Sequence, residues 1–507
     1  MQINTFPDNM INALRNFIDK RSYRILSVFT YALLLFVLAV KIYSIFIPVP
    51  DLFGVENNVA FALQRFLAGF PLYADPEFPP YAITQYSPLY YYVTFAFGKL
   101  FQVDPDHVYR VYLLNRTCSF FFNLIYAAIV YITARHAFNL KARLSLSMAI
   151  ISLATLYPVN ARPDSLYNCL FLLAFYVLFL FVKHRTEKKS NYLLPILCFL
   201  IVATVFAKQS GILIIAILLF LLLFVLNDFK RAAISFGYLS VLIFLFSWIF
   251  SNHDWHSFYL NVIQGLNNGI SMGWFHEVIL FDYFFTPWGL LINSVGLYAS
   301  FQLLTDDDIN KKVLGYGIVA SFLFALFTAL KYGSTKVYFI EFWALAMIGF
   351  FVMDKKVILP NLIPLFIIPV IYLKIAVSPH VVDIWQNRGK LDFSGYRAEK
   401  EVSEFVKKRL SAEDEGFVYF YGNISKHFID NFLYEYTIQP SKSIVIYSSY
   451  PLRVYDLSDY YKRVANKEVK YIISTQTKES FKFAGANFPD YEAIDSINGF
   501  HIYQVKQ

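Results

Sequence analysis

Two acids, Asp51 and Glu56, stand in the run PDLFGVENN, directly after a long apolar segment. From Glu56 to Leu67 the apolar residues Val59, Ala60, Leu63, Phe66 and Leu67 recur at helical spacing. That pattern predicts an amphipathic helix lying on a membrane surface. An acid held there is partly shielded from water. Desolvation raises a carboxylate's pKa toward working pH, which suits a general base. The plainer reading of the same residues is helix capping by Asp51, or a first-turn Glu56 favoured by the helix dipole.

Further polar groups sit at the ends of other apolar runs. Arg162-Pro163-Asp164 precedes one such run. Asp164 can cap the helix or pair with Arg162, and an Arg–Asp pair can equally orient a catalytic acid or bind phosphate. Lys208-Gln209 has apolar sequence on both sides, which is costly for a lysine unless it faces a polar cavity or an anion, or snorkels to the interface. Lys331 and Lys336 lie in KYGSTKVYFIEF, with Tyr338 and Glu341 following. Glu341 falls within an apolar helix and so needs a partner or a site. His253, Asp254, His256, His276 and Glu277 permit a divalent metal ion, but in no defined signature, and no metal ligand is assigned. Asn261, Gln264, Asn267 and Asn268 are candidate sugar-hydroxyl binders, though amide-rich loops are common.

Taken together, these groups suit a substrate with a lipid tail and a phosphate head. The tail lies among apolar helices, the phosphate meets Arg162 and the lysines, and a carboxylate activates an acceptor hydroxyl. The cations favour departure of the phosphate by stabilising its growing negative charge.

Elements that hold such groups must cross a bilayer. Of the 507 residues, 57% are hydrophobic and 16% charged, against about 45–50% and about 25% in an ordinary soluble protein. A crossing needs about 20 apolar residues. The sequence predicts about eleven spans, near 25–48, 111–134, 144–160, 165–182, 192–207, 210–226, 232–250, 286–303, 314–330, 336–353 and 358–378. The segment 86–103 is ambiguous. If it does not cross, basic residues such as Arg15, Arg143, Lys188, Lys230, Lys311 and Lys355 share one side, in short connectors. The positive-inside rule then makes 86–103 an interfacial or re-entrant helix and places the N-terminus in the cytoplasm.

The resulting organisation is a cytoplasmic segment (1–24), a transmembrane domain (25–378) and an extracytoplasmic domain (379–507). Large outer loops cover 49–110 and 251–285. The tail shows a helix pattern at 396–410 and strand-like runs at 417–420, 444–447 and 471–473, which predict a small α/β domain. Cys118, Cys169 and Cys198 all lie in apolar stretches and imply no disulfide framework. The net charge of +8 is spread over short clusters between apolar blocks, which reads as topology rather than as nucleic-acid binding. No cleavable signal peptide is evident at the N-terminus.

At this point the chain resembles the GT-C superfamily of polyprenyl-phosphate-sugar-dependent glycosyltransferases, in particular bacterial relatives of protein O-mannosyltransferase and of the lipid A aminoarabinose transferase. The matching pieces are Asp51 and Glu56, Gly69-Phe70-Pro71-Leu72-Tyr73, Tyr86-Ser87-Pro88-Leu89-Tyr90-Tyr91, Arg162-Pro163-Asp164, Lys208-Gln209-Ser210-Gly211, and Lys331-Tyr332-Gly333-Ser334 with Tyr338 and Glu341. The resemblance covers about 25 to 350. It implies juxtamembrane helices in the first outer loop, a polyprenyl-phosphate-linked sugar as donor, inversion at the anomeric carbon, and a first-loop acid as base. Many relatives carry an adjacent Asp-Glu pair there; here the acids are apart, and Glu56 is favoured over Asp51. The lysines carry over as donor-phosphate contacts. The acceptor, an envelope glycan, lipid or protein, is not identified by it, and no cofactor is assigned beyond the permitted divalent ion.

A transporter or flippase of lipid-linked saccharides also explains spans and intramembrane charge. It predicts midplane polar groups and an internal repeat, and the sequence shows no repeat. A lipid-linked polysaccharide polymerase or ligase predicts a late outer loop with paired arginines; 251–285 has no Arg or Lys.

Overall fold

The computed structural model describes residues 20–52, 56–155, 161–267, 269–353, 391–410, 416–421, 426–438, 455–476 and 490–506. The expected span 358–378 and the strand-like run 444–447 lie outside these residues, as do Arg15 and Asn268.

The apolar blocks form helices at Lys20–Ile45, Val108–His136, Ala142–Thr155, Asp164–Lys183, Ser190–Ala207, Phe229–Ser251, Pro287–Leu304, Ile309–Ala329 and Ile340–Val352. The block at 210–226 is broken into a 3-10 turn (Gln209–Gly211), an α-helix (Ile212–Phe220) and a π-helical turn (Leu221–Val225). Among the described residues, five helices are long and apolar enough to cross a membrane: Val108–His136, Asp164–Lys183, Ser190–Ala207, Phe229–Ser251 and Ile309–Ala329. The fold is that of a polytopic α-helical membrane protein with a small α/β domain.

Asp164–Lys183 is the centre of the bundle, packed against Val108–His136, Ser190–Ala207 and Ile309–Ala329. Its apolar window is 72% buried, whereas that of Phe229–Ser251 is only 11% buried. Phe236, Val241, Phe244, Leu245 and Ile249 of the latter helix are exposed. A row of large apolar side chains in the open is stable in hydrocarbon rather than in water, so this helix forms a lipid-facing rim.

The loop after the first span holds two short helices, Glu56–Leu67 and Leu89–Leu100. The second has 12 residues, so it is about 18 Å long and shorter than the hydrocarbon thickness of about 30 Å. Glu56–Leu67 departs from the expected surface helix. Asn57, Gln64 and Arg65 are as buried as Val59, Ala60 and Leu63, because protein covers both faces. The loop 251–285 likewise contains helices, Trp255–Val262 and Met272–Phe284, where the sequence reading has connecting chain.

The C-terminal domain carries a four-stranded sheet of β1 (Phe417–Tyr421), β2 (Val469–Ser474), β3 (Tyr491–Ile497) and β4 (Phe500–Val505), in the order β1-β2-β4-β3. β1 and β2 are parallel; the other two pairings are antiparallel. Helices Ser394–Lys407 and Ser458–Ala465 flank the sheet.

This domain is what covers the polar face of Glu56–Leu67. Asn57 and Gln64 are seven residues apart and share that face. Asn57 Nδ2 donates to the His427 carbonyl (3.0 Å), Gln64 Nε2 to the Asn431 carbonyl (2.9 Å) and Arg65 Nη1 to the Tyr434 carbonyl (2.8 Å). The Arg65 guanidinium also stacks on Phe70 at 4.2 Å, and burial lowers its pKa to about 10. Periodicity alone cannot distinguish a helix half in lipid from one clasped by a second domain. A Gln64→Leu variant is expected to loosen the docking, because it strands the Asn431 side chain at a cost of about 1–3 kcal/mol. Limited proteolysis should then release the C-terminal domain sooner than in the unaltered protein.

Candidate active site

Glu56 begins its helix as a carboxylate buried as completely as any side chain in the molecule. Oε1 accepts from Arg116 Nε (2.8 Å) and from the Ala161 backbone N–H (2.8 Å). Oε2 accepts from Arg116 Nη2 (3.0 Å) and from the Leu52 N–H (2.8 Å). Arg116 in turn donates to the carbonyls of Ile47 (2.5 Å) and Val49 (2.7 Å). Both oxygens are thus committed to donors, away from solvent, with Glu56 and Arg116 at 0% and 1% side-chain exposure. A proton taken by Glu56 would break a buried ion pair. The acid favoured from sequence as the base is thus one whose oxygens are already engaged by four donors. Glu56 ties residues 47–52 to the 161–164 turn, and Asp51 lies half-buried in that stretch.

Arg116 is the residue the sequence reading missed. Its signal was present, since an arginine several residues inside an apolar helix demands a partner. The span predicted at 111–134 already puts it inside an apolar helix.

The 161–164 turn carries the second cluster. Asp164 Oδ1 accepts from Lys208 Nζ at 2.6 Å, and Arg162 Nε lies 3.0 Å from Oδ2. Asp164 is 1% exposed and Lys208 14%. One oxygen of Asp164 thus faces each cation, so the carboxylate bridges Lys208 and Arg162. Arg162 Nη2 also donates to the Tyr86 hydroxyl (3.3 Å). Lys208 ends the Ser190–Ala207 helix in an extended conformation. The turn after it is tight because Gly211 lies against the backbone of Thr204 and Val205. A Cβ there would stand 2.6 Å from their atoms, so only glycine permits this turn.

Lys208 lies over the rings of Tyr167 (5.4 Å) and Tyr338 (5.7 Å). Burial lowers its pKa, but Asp164 and then Glu341 more than compensate, and the ammonium is held charged. Glu341 also acts electrostatically on Tyr167. Lys331 sits in the turn after Ile309–Ala329. Backbone pairing with the second loop anchors that turn: Ser271 N–H donates to the Leu330 carbonyl (3.0 Å) and Tyr332 N–H to the Gly269 carbonyl (3.0 Å). Burial, and then the nearby Lys208 charge, lowers the Lys331 pKa to about 8.

Of the residues singled out from sequence, the structure gathers Tyr86, Arg162, Asp164, Lys208, Lys331, Tyr338 and Glu341 into one neighbourhood. It joins Asp51 and Glu56 to them through Ala161 and Arg116. Two stand apart. Lys336 is exposed at the start of the Lys336–Phe339 turn. The Gln209 amide is spent on the carbonyls of Gln85 (2.8 Å) and Val262 (3.2 Å), where it clasps the two loops together. Asn261 does likewise, accepting from Thr84 N–H (2.7 Å) and donating to the Ala74 carbonyl (2.8 Å).

Arg162, Lys208 and Lys331, with the Tyr86 and Tyr338 hydroxyls and the Asp164 and Glu341 carboxylates, form a grouping whose chemistry suits an anion. The cations are charge-assisted donors in a partly desolvated setting, where they bind phosphate oxygens most strongly.

No protein-family model matches the sequence, and no curated protein matches it. Solved structures do. ArnT from Cupriavidus metallidurans in the apo state aligns over 94% of this chain and 98% of its own, with a TM-score of 0.57 and 11% identity. The same protein bound to undecaprenyl phosphate aligns equally well, at 10% identity. The Archaeoglobus fulgidus oligosaccharyltransferase, in a complex with Zn and sulfate, aligns over 87% of this chain and 67% of its own, with a TM-score of 0.52 and 14% identity. The chain therefore shares the fold of these two proteins, as the resemblance to the GT-C glycosyltransferases leads one to expect.

The Zn in that archaeal structure raises the question of a metal here. Among the described residues no three His, Cys, Asp or Glu side chains converge as ligands would. Asp254 caps the Trp255–Val262 helix through the Ser257 N–H (3.0 Å), His256 lies 3.5 Å from Asp75, and His276 packs edge-on to Phe281. Among the described residues these side chains do not come together as a metal site.

Proposed function

We propose that this GT-C-folded membrane protein is a glycosyltransferase that moves a sugar from a polyprenyl-phosphate carrier to an acceptor hydroxyl. The observation that carries this reading is the Arg162–Asp164–Lys208 cluster, tied through Ala161, Glu56 and Arg116 to the stretch bearing Asp51. The structure of ArnT with undecaprenyl phosphate supports the choice of donor.

In this reading the lipid phosphate lies against Lys208, Arg162 and Lys331, with the prenyl chain running into the bilayer. The acceptor hydroxyl oxygen attacks the anomeric carbon from the face opposite the phosphate, which inverts that centre. The bond from that carbon to the phosphate oxygen breaks, and its electron pair leaves with the polyprenyl phosphate. The hydroxyl proton passes to the Asp51 carboxylate. The cations stabilise the departing charge, and Asp164 keeps Arg162 and Lys208 from repelling one another before substrate arrives. The positive-inside pattern puts the reaction on the extracytoplasmic face, at an inner or plasma membrane with the N-terminus in the cytoplasm. A Lys208→Ala variant is expected to weaken undecaprenyl phosphate binding on the order of tenfold or more, as thermal protection by that lipid would report.

Lys331 adds a pH dependence. It binds an anion only when protonated, and its free-state pKa is about 8. Affinity for undecaprenyl phosphate is therefore full near pH 7 and falls as pH rises through 8 and above. The second ionisation of a phosphate monoester, near pH 6, is already complete over this range. A Lys331→Arg variant keeps its charge and should show a flat profile between pH 7.5 and about 9.5. Equal profiles for the two proteins would remove Lys331 from the phosphate site.

A further inference from the structure

A cavity of about 360 Å³ opens where the first span ends against the C-terminal domain. Its size falls within the range of small-molecule sites, about 300–1,000 Å³. One wall is Tyr43 with the chain from Ile47 to Pro50, and Asp51 follows directly. The opposite wall is the start of the Ser394–Lys407 helix, with Tyr396, and beyond it Phe428. Three charged residues line it: Asp392, Glu399 and Lys426.

The Glu399 carboxylate is held in place. It faces His427 Nδ1 at 3.0 Å and accepts the Phe428 backbone N–H. Pro50 lines the cavity and Asp51 is the next residue in the chain, so the cavity adjoins the stretch that bears the proposed base.

We infer that this cavity is the acceptor subsite and that it takes an uncharged sugar residue of a glycan; the inference rests on the glycosyltransferase reading above. Among the described lining residues two carboxylates, Asp392 and Glu399, stand against one lysine, Lys426, which disfavours a phosphorylated acceptor. Carboxylates accept hydrogen bonds from sugar hydroxyls, and ionised acceptors make the stronger ones. The partly exposed rings of Tyr43 and Tyr396 suit the C–H faces of a pyranose ring. A glycan seated here would present a hydroxyl toward the stretch that bears Asp51.

Gly395 supplies the test. It lines the cavity, and a Cβ added there meets nothing within 4 Å, so the bulk of a larger side chain can be added without a clash at its root. The full chain in lipid nanodiscs is examined by saturation-transfer NMR with mannotetraose, galactotetraose and N-acetylchitotetraose. Phosphorylated mannotetraose and a Ser/Thr-rich peptide serve as competing classes, and thermal protection by undecaprenyl phosphate is measured in parallel. A neutral saccharide should give transfer signals that fall on the order of tenfold or more in Gly395→Trp and in Tyr43→Ala, with lipid protection unchanged in both. Signals only from the phosphorylated saccharide or the peptide, no neutral-saccharide signal, or a signal untouched by Gly395→Trp would overturn the acceptor assignment. Absence of lipid protection in the unaltered protein would instead count against the glycosyltransferase reading itself.

Discussion

Replacing Asp51 by Asn is expected to lower sugar transfer from a polyprenyl-phosphate donor by about 10²–10⁴-fold, the usual contribution of a general base. Donor binding should be untouched, because the phosphate contacts lie on Lys208, Arg162 and Lys331. The substitution keeps the side chain's shape and removes only its ability to take a proton. Radiolabelled-sugar transfer and thermal protection by undecaprenyl phosphate, measured on one preparation, separate these effects. Full activity in Asp51→Asn would end its role as base. A Glu56→Gln protein as stable as the original yet inactive would return that role to Glu56. The hydrogen bonds of Glu56 argue otherwise: a neutral Gln there leaves Arg116 charged and buried beside carbonyls alone.

The second large effect is on stability. Arg116→Met removes every side-chain donor facing Glu56 and strands a carboxylate at zero exposure. Breaking a buried pair from one side costs about 3–5 kcal/mol, a large share of a typical domain's stability. The carbonyls of Ile47 and Val49 lose their donors too. The variant should give little monodisperse protein and unfold well below the original in detergent. Adding Glu56→Gln to Arg116→Met removes the unpaired charge and should recover part of the loss. An Arg116→Met protein that unfolds like the original, or a double variant no better than the single, would mean the pair is not the strut described here. The net worth of the pair is smaller than its breakage cost, since desolvation offsets most of its Coulomb attraction. What it contributes is placement: one carboxylate fixes two segments distant in sequence.

The bundle was legible because its rule is local. Runs of apolar residues near bilayer length must be helical in hydrocarbon, where backbone groups have no other partners. Lys208 and Arg162 could be suspected for the same reason, as charges that lipid does not tolerate alone. Glu56–Leu67 shows where the rule stops. Its apolar stripe is correct, but the stripe does not say that Asn57, Gln64 and Arg65 are clasped by His427, Asn431 and Tyr434 more than three hundred residues away.

Gln209 and Asn261 mark the same boundary among the candidate site residues. Their amides looked available for substrate, and carbonyls of the neighbouring loops consume them. From composition and spacing alone came the membrane-embedded helices, the polar residues at their ends and the chemistry those residues permit. That Glu56 is sealed in a salt bridge with Arg116 came from the folded chain. An amide or carboxylate has the same chemistry wherever it stands in a sequence, and its availability depends on which distant backbone donors and acceptors reach it first.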